Sequence, residues 1–341
     1  MSKKITSIEL LRFLSALAVV LYHYNTVFNH QNTSLTEILP LDLLFSNFYK
    51  YGYYGVEVFF IISGFVFSHM YLVVKKKISA KAFFIKRFAR LYPLHFATLI
   101  IFLFFVLLDF NFYQEYFDKN QVYIDLYHFT LQLFFISHWG FEEGFSYNVP
   151  SWSISLEIGI YIFFFIIIDY LKKFRVKLSV VIAILCFIFY KLENVNFIFG
   201  EYILLFFMGV IIYQIPKIIS LTPLRVTAFF CLIISFVGNF KVLLFCPSLM
   251  ILVLSFENYV QKKSIKDYFL KLGSISYSLY LLHYPLMLIL LLFEKKNFIK
   301  YDFYYSPYFF IFFIFILLFI SLISFNFFEK PLNKKIRSIF L

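Results

Sequence analysis

Apolar residues run along this chain in stretches of about 20, separated by short polar segments. That is the length an α-helix needs to cross a hydrocarbon core about 30 Å thick. About ten such stretches can be read, near 6–27, 52–74, 84–108, 151–171, 177–193, 197–214, 224–238, 241–256, 272–293 and 306–328. The pattern lacks the alternating segments of about ten residues that build a membrane β-barrel. It predicts an all-α fold, a polytopic membrane bundle of about ten transmembrane helices. One more apolar segment, 125–139, is too short to span. It carries His128 and His138 and ends in Trp139, so a re-entrant or interfacial position is expected.

Charge then sets the orientation. With the N-terminus inside, about 23 of the 31 Lys and Arg residues fall in cytoplasmic segments and about 7 outside. Counting 125–139 as a span would move Lys172, Lys173, Arg175 and Lys177 to the outside, so both termini are expected to be cytoplasmic. Lys295, Lys296 and Lys300 are the main exception. A net charge of +12 would suggest nucleic-acid binding in a soluble chain. Here the basic residues lie between apolar runs, and topology accounts for them, so the bilayer and not nucleic acid is the expected partner. Cys186, Cys231 and Cys246 all lie within apolar runs and form no Cys-x-x-Cys pair, which indicates neither a disulfide framework nor a zinc site. Arg12 inside the first stretch, with no small-residue cleavage site after it, argues against a signal peptide. No internal repeat or soluble segment appears, so residues 1–341 read as one membrane domain.

The ionisable groups inside apolar stretches are the candidates for chemistry, because burying them in lipid is costly. Arg12 and His23 share the first stretch. Eleven residues turn a helix through about three turns, so both side chains lie on one face, about 16 Å apart along the axis. His23, Glu57 and Glu157 lie at comparable depths near the outer ends of their helices. A carboxylate on one imidazole nitrogen would fix the tautomer and leave the other as a base able to deprotonate a hydroxyl. The plainer alternative is polar contacts that join helices.

Arg87 and Arg90, three residues apart on one helix face, form with Lys86 and the lysines before them a dense cationic cluster. It is either a topology anchor or a phosphate site for a cytosolic donor such as an acyl-coenzyme A. His283 precedes Pro285 in the ninth stretch, and a structural or donor-contact role is favoured over a catalytic one. Ser151, Ser153 and Ser155 sit in no nucleophile elbow. His69, His95, His128 and His138 lack metal-ligand spacing, so no metal is expected. The segment 109–150 is acidic and aromatic, which suits either sugar contacts or a solvated loop with an aromatic belt.

Six motifs in order resemble the acyltransferase-3 family of integral membrane acyltransferases, over nearly the whole chain. IELLRFLSALAVVLYHY is similar to the family's first helix, with Arg12 and His23 as its Arg-x10-His motif. GVEVFFIISGFVFS resembles the second-helix signature, with Glu57 at its acidic position. RFARLYPLHF supplies the Arg-x-x-Arg and Tyr-Pro positions, Arg87, Arg90, Tyr92 and Pro93. PSWSISLEIGIYIFF places Trp152, Ser153 and Glu157. ISYSLYLLHYPL places His283, and FFEKPL places Glu329 and Pro331. Ile154 and Ile158 stand where residues often differ, and the position of Glu57 commonly carries Asp.

The resemblance implies transfer of an acyl group, most often acetyl from acetyl-CoA, to a hydroxyl of a cell-surface polysaccharide or its lipid-linked precursor, by a multi-pass protein of the bacterial inner membrane. On that reading His23, oriented by Glu57 or Glu157, is the base. Arg87 and Arg90 hold the donor, with Arg12 and His283 as further contacts. The chain stops soon after its last helix, so the hydrolase-like periplasmic domain of some members is not expected. A flippase or exporter of lipid-linked glycans, and a glycan polymerase, are the alternatives from other classes. A transporter often shows repeat symmetry and broken helices in paired positions, which this chain lacks, and a polymerase would need neither the Arg-x-x-Arg site nor an acyl donor.

Overall fold

The computed structural model describes residues 4–29, 39–74, 77–192, 198–215, 221–237 and 241–341, and they are overwhelmingly helical. Six helices are long and apolar enough to cross a membrane: Thr6–Phe28, Tyr54–Leu72, Ala80–Leu108, Val149–Phe174, Ser276–Lys295 and Pro307–Phe340. Shorter apolar helices cover Val176–Phe189, Phe199–Gln214, Thr222–Ser235 and Leu243–Ser255. Each coincides with a stretch read from the sequence. The segment expected to be re-entrant or interfacial forms only a short helix, Leu126–Leu133, about 12 Å long and unable to span.

The elements in chain order are α1 (Thr6–Phe28), α2 (Asp42–Tyr51), α3 (Tyr54–Phe67), α4 (Ala80–Leu108), α5 (Phe110–Lys119), β1 (Val122–Tyr123), α6 (Leu126–Leu133), β2 (Phe145–Ser146), α7 (Trp152–Phe174), α8 (Val176–Leu192), α9 (Ile198–Gln214), α10 (Leu221–Val237), α11 (Lys241–Ser255), α12 (Lys263–Ser274), α13 (Ser276–Lys295), α14 (Pro307–Ile323) and α15 (Lys330–Phe340). The two short strands pair in parallel. Helices α2, α5 and α12 were not expected from the sequence. They are short, and polar residues interrupt their apolar positions, so an apolar-run criterion passes over them. α14 continues through one π-helical turn, Ser324–Glu329, into the basic helix α15, further than the stretch near 306–328 suggested.

The described residues fall into two compact units, each assembled from three stretches of chain. The first comprises Met1–Ser15, Tyr54–Ile78 and Leu156–Ser274. Its centre is the packing of α3 on α9. Gly64 of α3 lies against the backbone of Phe206, and Gly209 of α9 lies against the backbone of Ile61. A Cβ at either position would overlap a carbonyl oxygen of the other helix. The two glycines thus allow close backbone approach, the usual device where lipid supplies no hydrophobic drive between helices. Ile61, Leu205, Phe206, Phe207 and Val210 are completely buried around them.

In the same unit the Glu257 carboxylate caps the start of α1, accepting from the backbone N–H of Thr6 at 3.0 Å and of Ser7 at 2.7 Å. Two otherwise orphaned helix donors are satisfied, by a negative charge at the positive end of the helix.

The second unit comprises Ala16–Tyr53, Ser79–Ser155 and Ile275–Leu341. α4 packs on α13 and on α15. Tyr24 on the C-terminal half of α1 donates its hydroxyl to the carbonyl of Tyr304 at 2.7 Å, and the Phe28 ring stacks on that of Tyr304 at 4.1 Å. Asp109 ends α4 and caps α5, accepting from the Phe112 backbone at 3.2 Å. Its other oxygen takes the Lys296 ammonium at 2.9 Å, just past the end of α13. That bond, with the further charge of Lys295, holds the Asp109 carboxyl below the usual carboxylate range. Many apolar side chains of α4 and α14 point outward, among them Leu107, Phe312 and Phe315. An exposed apolar surface of this extent fits contact with lipid.

Candidate active site

α1 runs without a break from Thr6 to Phe28 and so carries both Arg12 and His23. In the first unit, Arg12 Nη1 lies 3.6 Å from the carboxylate of Glu9, one turn earlier, and Lys4 reaches the same carboxylate at 3.6 Å. Glu9 is itself buried and packs against Gly273 of α12, where a side chain would collide with it. The Arg12 cation is thereby set in a fixed place by a partner from its own helix.

In the second unit, His23 meets a residue 260 positions away in the chain. Its Nδ1 lies 3.0 Å from Nε2 of His283, and the ring centroids are 5.0 Å apart. The direction of this bond follows from the next contact. Nδ1 of His283 lies 3.3 Å from the carbonyl oxygen of Leu279, one turn back on α13. A carbonyl can only accept, so neutral His283 carries its proton on Nδ1 and presents a lone pair at Nε2. His23 must then donate from Nδ1, which leaves the lone pair of its Nε2 free. His283 is completely buried, whereas His23 is only half-buried. The inner ring is thus locked and the outer ring can be reached. Tyr22 and Tyr284 flank His23 edge-on at 5.3 and 5.8 Å.

The two carboxylates expected to orient His23 have their own surroundings in the first unit. Glu157 on α7 accepts from Ser63 Oγ of α3 at 2.7 Å and from the hydroxyl of Tyr161, one turn further along α7. Glu57 on α3 is buried near Glu201 and Cys246, and its Oε2 has no hydrogen-bond partner among the described residues. Among the described residues, the His23 ring has the His283 imidazole and the Val19 backbone, one turn back on α1, as hydrogen-bond partners.

Arg87 and Arg90 lie in the first turns of α4, Arg87 half-buried and Arg90 exposed, beside the exposed Lys86. Arg90 interacts electrostatically with Glu329. Glu329, in the π-helical turn before α15, also accepts hydrogen bonds from Ser278 of α13 and from Ser324, the latter at 3.0 Å. The closing Glu-x-Pro motif and the Arg-x-x-Arg motif therefore meet in space. Ser153 shares a 2.8 Å hydrogen bond with the Tyr280 hydroxyl.

The remaining described histidines of the second unit have local partners. His95 Nε2 lies 2.8 Å from the Gln132 carbonyl, His128 Nδ1 lies 2.7 Å from Asp125, and His138 Nδ1 lies 2.7 Å from the Ser137 carbonyl. The sequence analysis did not single out Tyr284 or Tyr116 of α5, which hydrogen-bond to one another. Tyr284 follows His283 directly and could have been noted for that. Nothing in the sequence marks Tyr116.

A family model described as an acyltransferase domain matches residues 5–326. The peptidoglycan O-acetyltransferase OatA of Listeria monocytogenes is 25% identical over 199 residues, 53% of this chain and 28% of that protein. The acyltransferase MdmB of Streptomyces mycarofaciens is 30% identical over 165 residues, 47% of this chain and 38% of that protein. The chain thus aligns with well under half the length of each of these relatives. No solved structure matches it.

Proposed function

The chain belongs to the acyltransferase-3 family; from that premise we propose that it is a multi-pass membrane O-acyltransferase that transfers acetyl from cytosolic acetyl-CoA to a hydroxyl of a cell-surface polysaccharide or its lipid-linked precursor. The observation that carries this reading is the ordered pair of imidazoles. Leu279 holds the proton of His283, His283 holds the proton of His23, and the free lone pair of His23 is left as a general base. The base takes the proton of the sugar hydroxyl as that oxygen attacks the thioester carbonyl. The carbon–sulfur bond then breaks, and the thiolate of coenzyme A leaves with the proton that His23 accepted. An ester forms on the sugar and free coenzyme A is released, so the step needs no further reactant.

Arg87 and Arg90 bind the donor's phosphates from the cytoplasmic side, where Arg suits bidentate phosphate contacts. Arg12, held by Glu9, contacts the donor at its phosphate, pantetheine or acyl end. Glu57 and Glu157 support the bundle from α3 and α7. The family and OatA, which is named for O-acetylation of peptidoglycan, support a glycan acceptor. Six long and four shorter apolar helices among the described residues support a ten-span topology; the distribution of Lys and Arg supports cytoplasmic termini, and the membrane of this reading is the bacterial inner membrane.

The test is transfer of radiolabelled acetyl from acetyl-CoA to endogenous glycan in membrane vesicles. His23→Ala should abolish label that mild alkali releases, at unchanged protein level. The combined Arg87→Ala and Arg90→Ala variant should weaken coenzyme A binding. Full transfer by His23→Ala would refute the assignment of the base.

A further inference from the structure

Past the histidine pair, toward the C-terminal ends of α1 and α13, the second unit encloses a cleft of about 590 Å³. That volume lies within the range of small-molecule sites, about 300–1,000 Å³. Two of its lining residues tie it to the pair by helix geometry. Val27 lies one turn beyond His23 on α1, and Leu291 lies two turns beyond His283 on α13. A hydrogen bond gives a second tie. Tyr116 lines the cleft and bonds the hydroxyl of Tyr284, whose ring packs 5.8 Å from that of His23. The cleft therefore lies on the C-terminal side of the histidine pair, linked to it through Val27, Leu291 and the Tyr116–Tyr284 bond.

Its lining discriminates among ligands. α5 provides one wall, with the rings of Phe112 and Tyr116 and the polar groups of Glu115 and Lys119. α13 provides Glu294, a half-buried carboxylate that interacts with the Tyr304 hydroxyl. The charges are matched: Lys119 pairs with Glu115 at 2.8 Å, and Lys295 reaches Asp109 at 3.6 Å while lying over the Phe112 ring at 4.6 Å. A site for coenzyme A phosphates would carry net positive charge, and a groove for an acyl chain would be apolar. This cleft is neither. Aromatic faces beside carboxylates that accept and ammonium groups that donate suit a ring with apolar C–H faces and many hydroxyls. Burial pushes the Tyr116 phenol up to about 12, so it stays a neutral donor and acceptor at the cleft wall.

We propose that this cleft is the acceptor subsite, binding an uncharged saccharide ring between α5 and α13 so that one hydroxyl is delivered to Nε2 of His23. The proposal rests on the acyl-transfer reading above for its outcome, but its binding claim can be tested alone.

The experiment uses the full chain in lipid nanodiscs, with maltotetraose and the β-1,4-linked tetramer of N-acetylglucosamine as probes. Binding is read by saturation-transfer NMR, and acetyl transfer by label from acetyl-CoA. Glu294→Gln keeps the side-chain shape, and Lys119→Gln changes an exposed residue, so coenzyme A binding should be intact in both and serves as the fold control. Each variant should raise the Kd and the KM for saccharide about tenfold and leave the KM for acetyl-CoA unchanged. Saccharide binding by both variants at the wild-type Kd, or no binding of either probe by the wild type, would overturn the cleft assignment. Acetyl transfer at unchanged acceptor KM in both variants would overturn it while leaving the acyltransferase reading in place. Saccharide binding that both variants weaken, with no acetyl on any sugar, would uphold the cleft and remove the acyl-transfer reading.

Discussion

Replacing His283 by phenylalanine keeps a planar ring of similar size in a completely buried position and removes the nitrogen that accepts from His23 together with the Nδ1–H that donates to the Leu279 carbonyl. The bond lost is the 3.0 Å contact between Nε2 of His283 and Nδ1 of His23. A donor stripped of its partner in a buried setting costs about 1–3 kcal/mol. Here the cost falls on the reaction, because the imidazole, left with the Val19 backbone as its partner, can place its proton on Nε2 and lose the lone pair that acts as base. At about 1.4 kcal/mol per tenfold in rate, kcat should drop between about fivefold and 150-fold. The KM for acetyl-CoA should not move, because the base is distinct from the arginines proposed to hold the donor. Glutamine at the same position carries an oxygen that can accept from Nδ1–H, and should recover much of the loss. The assay is steady-state release of coenzyme A, followed with a thiol reagent, on purified protein in nanodiscs with saturating acceptor. A His283→Phe variant within twofold of wild type would refute the relay. Equal impairment by phenylalanine and glutamine would show that ring shape, not the hydrogen bond, is what His283 supplies.

Three other outcomes follow from the packing. Gly64→Ala or Gly209→Ala forces a Cβ into the backbone of the facing helix, so each should destabilise the protein by about 1–3 kcal/mol or more, read as a lower unfolding temperature in detergent; unchanged melting would show that α3 and α9 can separate without cost. Glu257→Ala strips the cap from α1 and should cost about 0.5–2 kcal/mol of stability, seen as lowered melting with acetyl transfer retained at permissive temperature. The Asp109 carboxyl is held below its ordinary value by Lys296, so its stabilising pair is fully present above the unfolded value near about 4 and is lost as pH falls through the folded value; Asp109→Asn should flatten that acid limb of a melting-versus-pH profile, and an unaltered limb would assign it to other carboxyls.

Much of the scaffold could be read from the chain because lipid imposes one strict rule, a long run of apolar residues for each crossing. The first stretch declared its chemistry for the same reason, since Arg12 and His23 have no cheap place in hydrocarbon. Other features had no such signal. α5 mixes Phe, Tyr, Gln, Glu and Lys over ten residues, and only its placement beside α13 makes it a wall of the cleft. The contact of His23 with His283 joins residues 260 positions apart. Single-sequence reasoning places helices by depth but cannot say which face of one meets which face of another, so the carboxylates at similar depth were the natural candidates.

The paired glycines of α3 and α9 restrict how the protein can move as well as how it packs. A slip of one residue along α3 would bring Ser63 or Phe65, each with a side chain, to the place where the Phe206 carbonyl admits none. The close contact thus fixes the register of α3 on α9. Ser63, whose hydroxyl donates to the carboxylate of Glu157, is placed by that register, so the fit of two backbones sets where this carboxylate is held.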